Sequence, residues 1–187
     1  NSITGPVLKE LEQVLSEVEQ DDYVRAIIVT GSGRFFCAGA DIHELTRLNT
    51  SHARTHFALQ GQALFNHIKR CDKPVVAAIN GICVGGGLEL ALACQIRIAA
   101  SGASLGLPEI KLGLIPGFGG TQRLSRVVGT SKAAEMLLTG ESVTAEQALH
   151  IGFFRTIKYR RSHWDTTDQV LCQIQNLFVT EGRQIFF

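Results

Sequence analysis

Apolar residues at Val7, Leu8, Leu11, Val14, Leu15 and Val18 recur at the spacing of one helical face and predict a helix over residues 6–20. Thr4 is placed to cap it, and Pro6 suits its first turn. A β-branched run at 26–30 (AIIVT) ends in Gly31-Ser32-Gly33 and reads as a buried strand. After a loop, residues 40–48 turn helical. Residues 55–69 place Phe57, Ala58, Leu64, Phe65 and Ile68 among polar positions, an amphipathic helix that Lys73-Pro74 brings to a stop. Residues 75–79 form the next strand, Asn80-Gly81 turns the chain, and Gly85-Gly86-Gly87 leads into a buried helix at 88–94. Residues 96–100 are strand-like again, and short helices are expected at 125–128, 132–139 and 144–151. The last carries a capping box, Thr144-x-x-Gln147, with Gly152 beyond its end. Short apolar strands alternating with helices indicate an α/β domain with parallel pairing. Neither a linker nor a solenoid repeat interrupts it.

At 187 residues the chain is the size of one domain. Eighteen Lys and Arg against 17 Asp and Glu give a net charge of +1, which lacks the basic excess that non-specific nucleic-acid binding uses. The best apolar stretch, 88–100, is interrupted by Arg97 and falls short of the roughly 18 to 20 residues of a membrane span, so a soluble protein is expected. The five cysteines form no C-x-x-C; an odd number without that spacing encodes neither a disulfide framework nor a zinc site. They read as small buried hydrophobes in a reducing compartment. Of the six histidines (His43, His52, His56, His67, His150, His163), four lie in or beside a presumed surface helix and are read as solvated. The chain begins at Asn1 and its single methionine is Met136, which reads as a processed, truncated or fragmentary chain in which a targeting peptide would go unseen.

Two acidic residues stand out from apolar surroundings. Glu89 lies three residues past Gly86, so on a helix its carboxylate shares a side with the free N–H groups of the helix start. A carbonyl oxygen gaining charge during a reaction could be held by the Gly86 N–H. Glu109 is the only charged residue between Arg97 and Lys111, and a carboxyl in such a setting exchanges protons nearer neutrality. Taken locally, each glutamate could equally cap or salt-bridge a helix start, and Gly85–Gly87 could serve only tight packing. Residues 34–41 are rich in small side chains after a strand and would let a ligand approach the backbone. No G-x-S-x-G elbow supports a serine-hydrolase reading.

Three segments together are more specific: 33–42 (GRFFCAGADI), 73–90 (KPVVAAINGICVGGGLEL) and 106–124 (GLPEIKLGLIPGFGGTQRL). In that order they resemble the signature segments of the enoyl-CoA hydratase/isomerase (crotonase) superfamily. The resemblance runs to Phe153 and includes 138–140 (LTG) and 145–152 (AEQALHIG). It implies a crotonase-like superhelix of repeated β-β-α units, as in the ClpP/crotonase fold, that binds a coenzyme A thioester and assembles as a homotrimer or hexamer. It also implies an oxyanion hole from the backbone N–H groups of Ala40 and Gly86. Ala38, Ala40, Asp41, Ile42, His43, Gly85 and Gly86 would line the acyl-CoA site. Glu89 and Glu109 match the two catalytic carboxylates of the hydratases, which convert 2-enoyl-CoA to 3-hydroxyacyl-CoA in fatty-acid or branched-chain acyl degradation. No metal or redox cofactor is implied, coenzyme A being part of the substrate. The expected compartment is the mitochondrial matrix in a eukaryote and the cytoplasm in a bacterium.

The chain also departs from the family's pattern. Residues 1–4 resemble the point just after its first strand, so a crotonase-like core over 1–154 would lack that strand and leave a sheet edge open. Residues 155–187 diverge from the family's C-terminal helices, although Val170, Leu171, Ile174, Leu177 and Phe178 keep helical spacing over 167–179. Alternatives are an enoyl-CoA delta isomerase, for which one carboxylate suffices, the hydratase portion of a bifunctional enzyme, or a catalytically impaired truncated or splice form. From another class comes an RNA-binding homologue, since one member of the superfamily binds AU-rich RNA through a basic helix. Residues 55–70 here hold only Lys69 and Arg70 as fixed cations, so no nucleic-acid partner is expected.

Overall fold

Thr4 opens the first helix, α1 (Gly5–Gln20), by accepting a hydrogen bond from the Val7 N–H, and Leu8, Leu15 and Val18 bury its apolar face. The structure, a computed structural model, describes residues 1–154 and the backbone of 157–158 and 183–186. The chain then alternates between two sheets. Strands β1 (Ile27–Thr30), β3 (Val75–Ile79) and β5 (Ile96–Ala100) enter one, while β2 (Phe35–Cys37), β4 (Ile82–Val84) and β6 (Ser104–Gly106) enter the other. Between them run α2 (Ile42–Arg47), α3 (Ser51–Arg70) and α4 (Gly86–Ala93). A 3-10 helix (Pro108–Leu112), α5 (Gly120–Val128), α6 (Thr130–Thr139), β7 (Val143–Thr144), α7 (Ala145–His150), β8 (Ile157–Lys158) and β9 (Arg183–Phe186) follow.

The first sheet has the order β8-β5-β3-β1-β9 and is parallel at every pairing; the second has the order β2-β4-β6-β7, with only β6 and β7 antiparallel. Each β-β-α turn of the chain thus adds one strand to each sheet, which is the winding of a crotonase-like superhelix. Both faces of the central strands are covered. Ile27, Val29, Val75, Ala77 and Ile79 join the main core, while Ile28, Val76, Ala78 and Ile98 form a second cluster on the opposite face. That explains why these strands read as unbroken apolar runs instead of alternating ones.

Several expectations change here. The helix expected at 55–69 begins at Ser51, because the Thr50 side chain accepts from the Ala53 N–H and caps it; Arg54 therefore joins Lys69 and Arg70 on α3. The helix expected from 125 begins at Gly120. The edge of β1 is not open, since β9 pairs with it in parallel from Ile27↔Arg183 to Thr30↔Phe186. The residues of the expected helix at 167–179 lie outside those described, as do His163 and Cys172. His67 is not merely solvated. Its ring nitrogens lie 2.8 Å from Glu12 and 2.7 Å from Glu19, tying α3 to α1. Burial alone would lower the His67 pKa, but the hydrogen bonds to Glu19 and Glu12 outweigh it and hold the ring's pKa above its ordinary value. Cys37, Cys83 and Cys94 are buried as expected, and Cys71 is half-buried.

One glycine of α3 fixes how the site's central loop seats. A Cβ at Gly61 would lie 2.2 to 2.8 Å from the ring of Phe118, and that ring packs edge-on against Phe57 and Phe65, each with centroids 5.4 Å away. Hemmed in by two aromatic rings, Phe118 has little room to retreat. Gly61→Ala would normally favour a helix by up to about 1 kcal/mol, but here the overpacking is expected to win and to destabilise by about 1–3 kcal/mol. A urea-denaturation midpoint at or above the parent's would show that the ring yields freely.

Candidate active site

The site is built from the segments that follow the three parallel strands of the second sheet: 38–41 after β2, 85–86 after β4 and 107–109 after β6. Residues 1–3 run alongside 38–41: the Ile3 N–H donates to the Gly39 carbonyl (2.8 Å), the Asp41 N–H to the Ile3 carbonyl (2.9 Å), and the Ala38 N–H to the Asn1 carbonyl (2.8 Å). This ladder uses the N–H groups of Ala38 and Asp41 and leaves that of Ala40 out. Asp41 then caps α2 by accepting from the Glu44 N–H, which leaves Ile42 and His43 exposed on its first turn.

Gly39 has φ 91°, and a Cβ there would lie 3.0 Å from the Val84 carbonyl oxygen and 3.1 Å from the Gly86 nitrogen. Only glycine therefore lets the 38–40 turn lie against the start of α4. Gly85, at φ 56°, precedes α4, and a Cβ on it would come within 3.2 Å of Glu109 Oε1. Gly86 is the first residue of α4, so its N–H has no acceptor within that helix. Ala40, Gly85, Gly86 and Glu109 are thus neighbours across three separate segments.

Glu89, one turn into α4, is 1% exposed. Its Oε1 accepts from the Gly120 N–H (2.6 Å) and the Phe118 N–H (2.9 Å). The helix start it bonds is that of α5. Glu89 supplies the N-terminal cap that α5 lacks, because Gly119 at its N-cap has no side chain to do so. Burial pushes the Glu89 pKa up to about 7, the negative charge of Glu109 adds to that, and the two N–H donors and Arg123 oppose it. Glu109, on the 3-10 helix, is also raised by burial. Its Oε2 is buried and meets no hydrogen-bond partner among the described residues. A polar atom left so is costly to a folded protein and is available to a bound reactant.

The structure brings together Glu89, Glu109, Gly85, Gly86 and the 38–41 turn. Ile42 and His43 lie further out, exposed on α2. Sequence reasoning missed the Phe118 and Gly120 N–H donors, and the only signal for them was the glycine-rich 117–120 turn. Among the described residues no group of three or more His, Cys, Asp or Glu is placed to hold a metal ion, and no helix is long and apolar enough to cross a membrane.

Comparison with known proteins bears directly on this arrangement. A family model described as enoyl-CoA hydratase/isomerase matches residues 1–177. The chain is 51% identical over 152 residues to a "Probable enoyl-CoA hydratase" of Bacillus subtilis (strain 168), covering 81% of this chain and 59% of that protein. It is 45% identical over 158 residues to a "Short-chain-enoyl-CoA hydratase" of Clostridium acetobutylicum, covering 84% and 60%. The crystal structure of an enoyl-CoA hydratase from Bacillus anthracis superposes with a TM-score of 0.86 at 37% identity, covering 94% of this chain and 67% of that one. The chain spans about 60% of the length of these curated relatives.

Proposed function

The chain belongs to the enoyl-CoA hydratase/isomerase family, and on that premise we propose that it adds water across the C2–C3 double bond of 2-enoyl-CoA thioesters to give 3-hydroxyacyl-CoA. The observation that carries this reading is a pair of carboxyl groups, the buried Glu89 and the half-buried Glu109, both with raised pKa and set beside the start of α4. A carboxyl poised near neutrality can both take and give a proton at working pH. In the proposed step one carboxylate removes a proton from water as its oxygen bonds to C3. The π electrons of the double bond move through C2 to the thioester oxygen, held by the N–H groups of Ala40 and Gly86, and the other carboxyl then protonates C2. Water supplies both the hydroxyl and the net proton gained.

Ala38, Asp41, Ile42, His43 and Gly85 complete the acyl-CoA site in this reading. Coenzyme A enters as part of the substrate, with neither a metal nor a redox group required, and the family's homotrimer or hexamer is the expected assembly. The relatives named above are bacterial, which favours a bacterial cytoplasmic setting over a mitochondrial one.

The test is to run the reaction on crotonyl-CoA in ¹⁸O-labelled water and weigh the product. Hydration incorporates one labelled oxygen. A product of unchanged mass with a shifted double bond would identify an isomerase instead, and no product from folded protein would remove the enzymatic reading.

A further inference from the structure

The two N–H groups that hold Glu89 belong to one short turn, and that turn is itself held from two helices. Gln62 of α3 donates through Nε2 to the Gly117 carbonyl (2.7 Å). Arg123 of α5 donates through Nη1 to the Phe118 carbonyl (2.6 Å) and through Nη2 to Asn66 Oδ1 of α3 (2.7 Å). Gly119 makes room for this grip: its φ is 101°, and a Cβ there would lie 2.5 Å from Arg123 Nη1. The guanidinium thus closes over the same stretch of backbone that Glu89 bonds.

We propose that Arg123 is a positioning residue for this site: by clamping the Phe118–Gly120 turn to Asn66 it aims the carboxylate of Glu89. It bonds a carbonyl of the turn and not Glu89, so it acts through the turn and through its charge. Among the described residues, the charged groups that bear on Glu89 are Glu109 of the 3-10 helix and Arg123 of α5, and Arg126 of α5 in turn bears on Arg123. Arg123 is the cation that offsets Glu109, favouring the ionised form of Glu89. The forked guanidinium is suited to this because it reaches two acceptors at once while keeping its charge.

This inference rests on the hydratase reading for its kinetic arm but not for its titration arm. Glu89 is titrated by NMR in protein carrying ¹³C-labelled glutamate, and kcat/KM for crotonyl-CoA is followed against pH. In Arg123→Gln the Glu89 titration and the acidic limb of kcat/KM are expected to move together to higher pH, so that activity near pH 6 falls about three- to tenfold while that near pH 9 changes little. Arg123→Lys keeps the charge but loses the fork; its titration and limb are expected to stay with the parent while kcat falls equally at every pH. An Arg123→Gln titration that coincides with the parent's would overturn the charge role. An Arg123→Lys variant with parental kcat would overturn the clamp, including where Arg123→Gln does not fold. A parent that titrates as described but never hydrates crotonyl-CoA would count against the hydratase reading alone.

Discussion

Glu89→Gln is expected to lower kcat for hydration by about 10²–10⁴-fold and, at the same time, to make the protein more stable above neutrality. The first effect follows from chemistry: glutamine fills the same space and can still accept from the Phe118 and Gly120 N–H groups, but it neither takes nor gives a proton. The second follows from linkage. In the folded protein Glu89 ionises at about 7 instead of the ordinary 4.5. Below about pH 4.5 both states hold the proton and nothing is lost. As pH rises from there towards 7 the unfolded chain releases its proton first, so the folded state loses ground, by up to about 3 kcal/mol once both are ionised. Glutamine escapes that cost. The difference in melting temperature between variant and parent should therefore widen from pH 5 to pH 8, reaching about 5–10 °C in a chain of this size. A difference that is constant with pH, or that narrows, would show that Glu89 is not held against ionisation.

Replacing Gly86 by proline should cost about 10²–10³-fold in kcat, the usual effect of deleting one preorganised donor to a developing oxyanion. Gly86 is the first residue of α4, where proline is tolerated and where the lost N–H breaks no bond within the helix. The substitution does add atoms near Phe118 and Ile3, since a Cβ at Gly86 would lie 3.1 Å from the Phe118 ring and 3.2 Å from Ile3 Cδ1. Gly86→Ala brings the same Cβ but keeps the donor, so the gap between the two variants reads the loss of the N–H together with the ring carbon that takes its place. Equal activities in steady-state hydration assays would mean that this N–H does not face the thioester oxygen.

The central helices and the three central strands of the first sheet were legible because their apolar residues run over enough positions to declare themselves, whereas its edge strands β8 and β9 were not. Strands β3 and β5 fall where the runs at 75–79 and 96–100 place them. The second sheet was not legible. Its strands β2, β4 and β6 are three residues each, too short for alternation to be distinguished from a glycine-rich loop. The same glycines hid the start of α5, whose first turn reads as punctuation in the stretch Gly117-Phe118-Gly119-Gly120.

Both glutamates could be picked out from charge in apolar surroundings, but what holds Glu89 could not. Its donors lie 29 and 31 residues further along the chain and are backbone groups that carry no side-chain signature. Arg123 was equally silent, an arginine on an amphipathic helix whose meaning depends on where the 117–120 turn lands. Gly39 became informative only once its neighbours were known: the small residues of 34–41 suggested a close approach, and the structure identifies what approaches as the start of α4. The capping alternative at Glu89 is met by α5, and the same bonds fix the carboxylate in place.

The two-carboxylate mechanism is tested most directly by the absorbance of the conjugated enoyl thioester when crotonyl-CoA is mixed at pH 7.5 with the parent and, in parallel, with Glu109→Gln. Among the described residues Glu109 Oε2 has no hydrogen-bond partner, so the amide variant should fold as the parent does. The prediction is a steady loss of absorbance with the parent and a rate about 10²–10⁴-fold lower with the variant. Parent and variant turning over at the same rate, both folded by circular dichroism, would contradict the two-carboxylate mechanism.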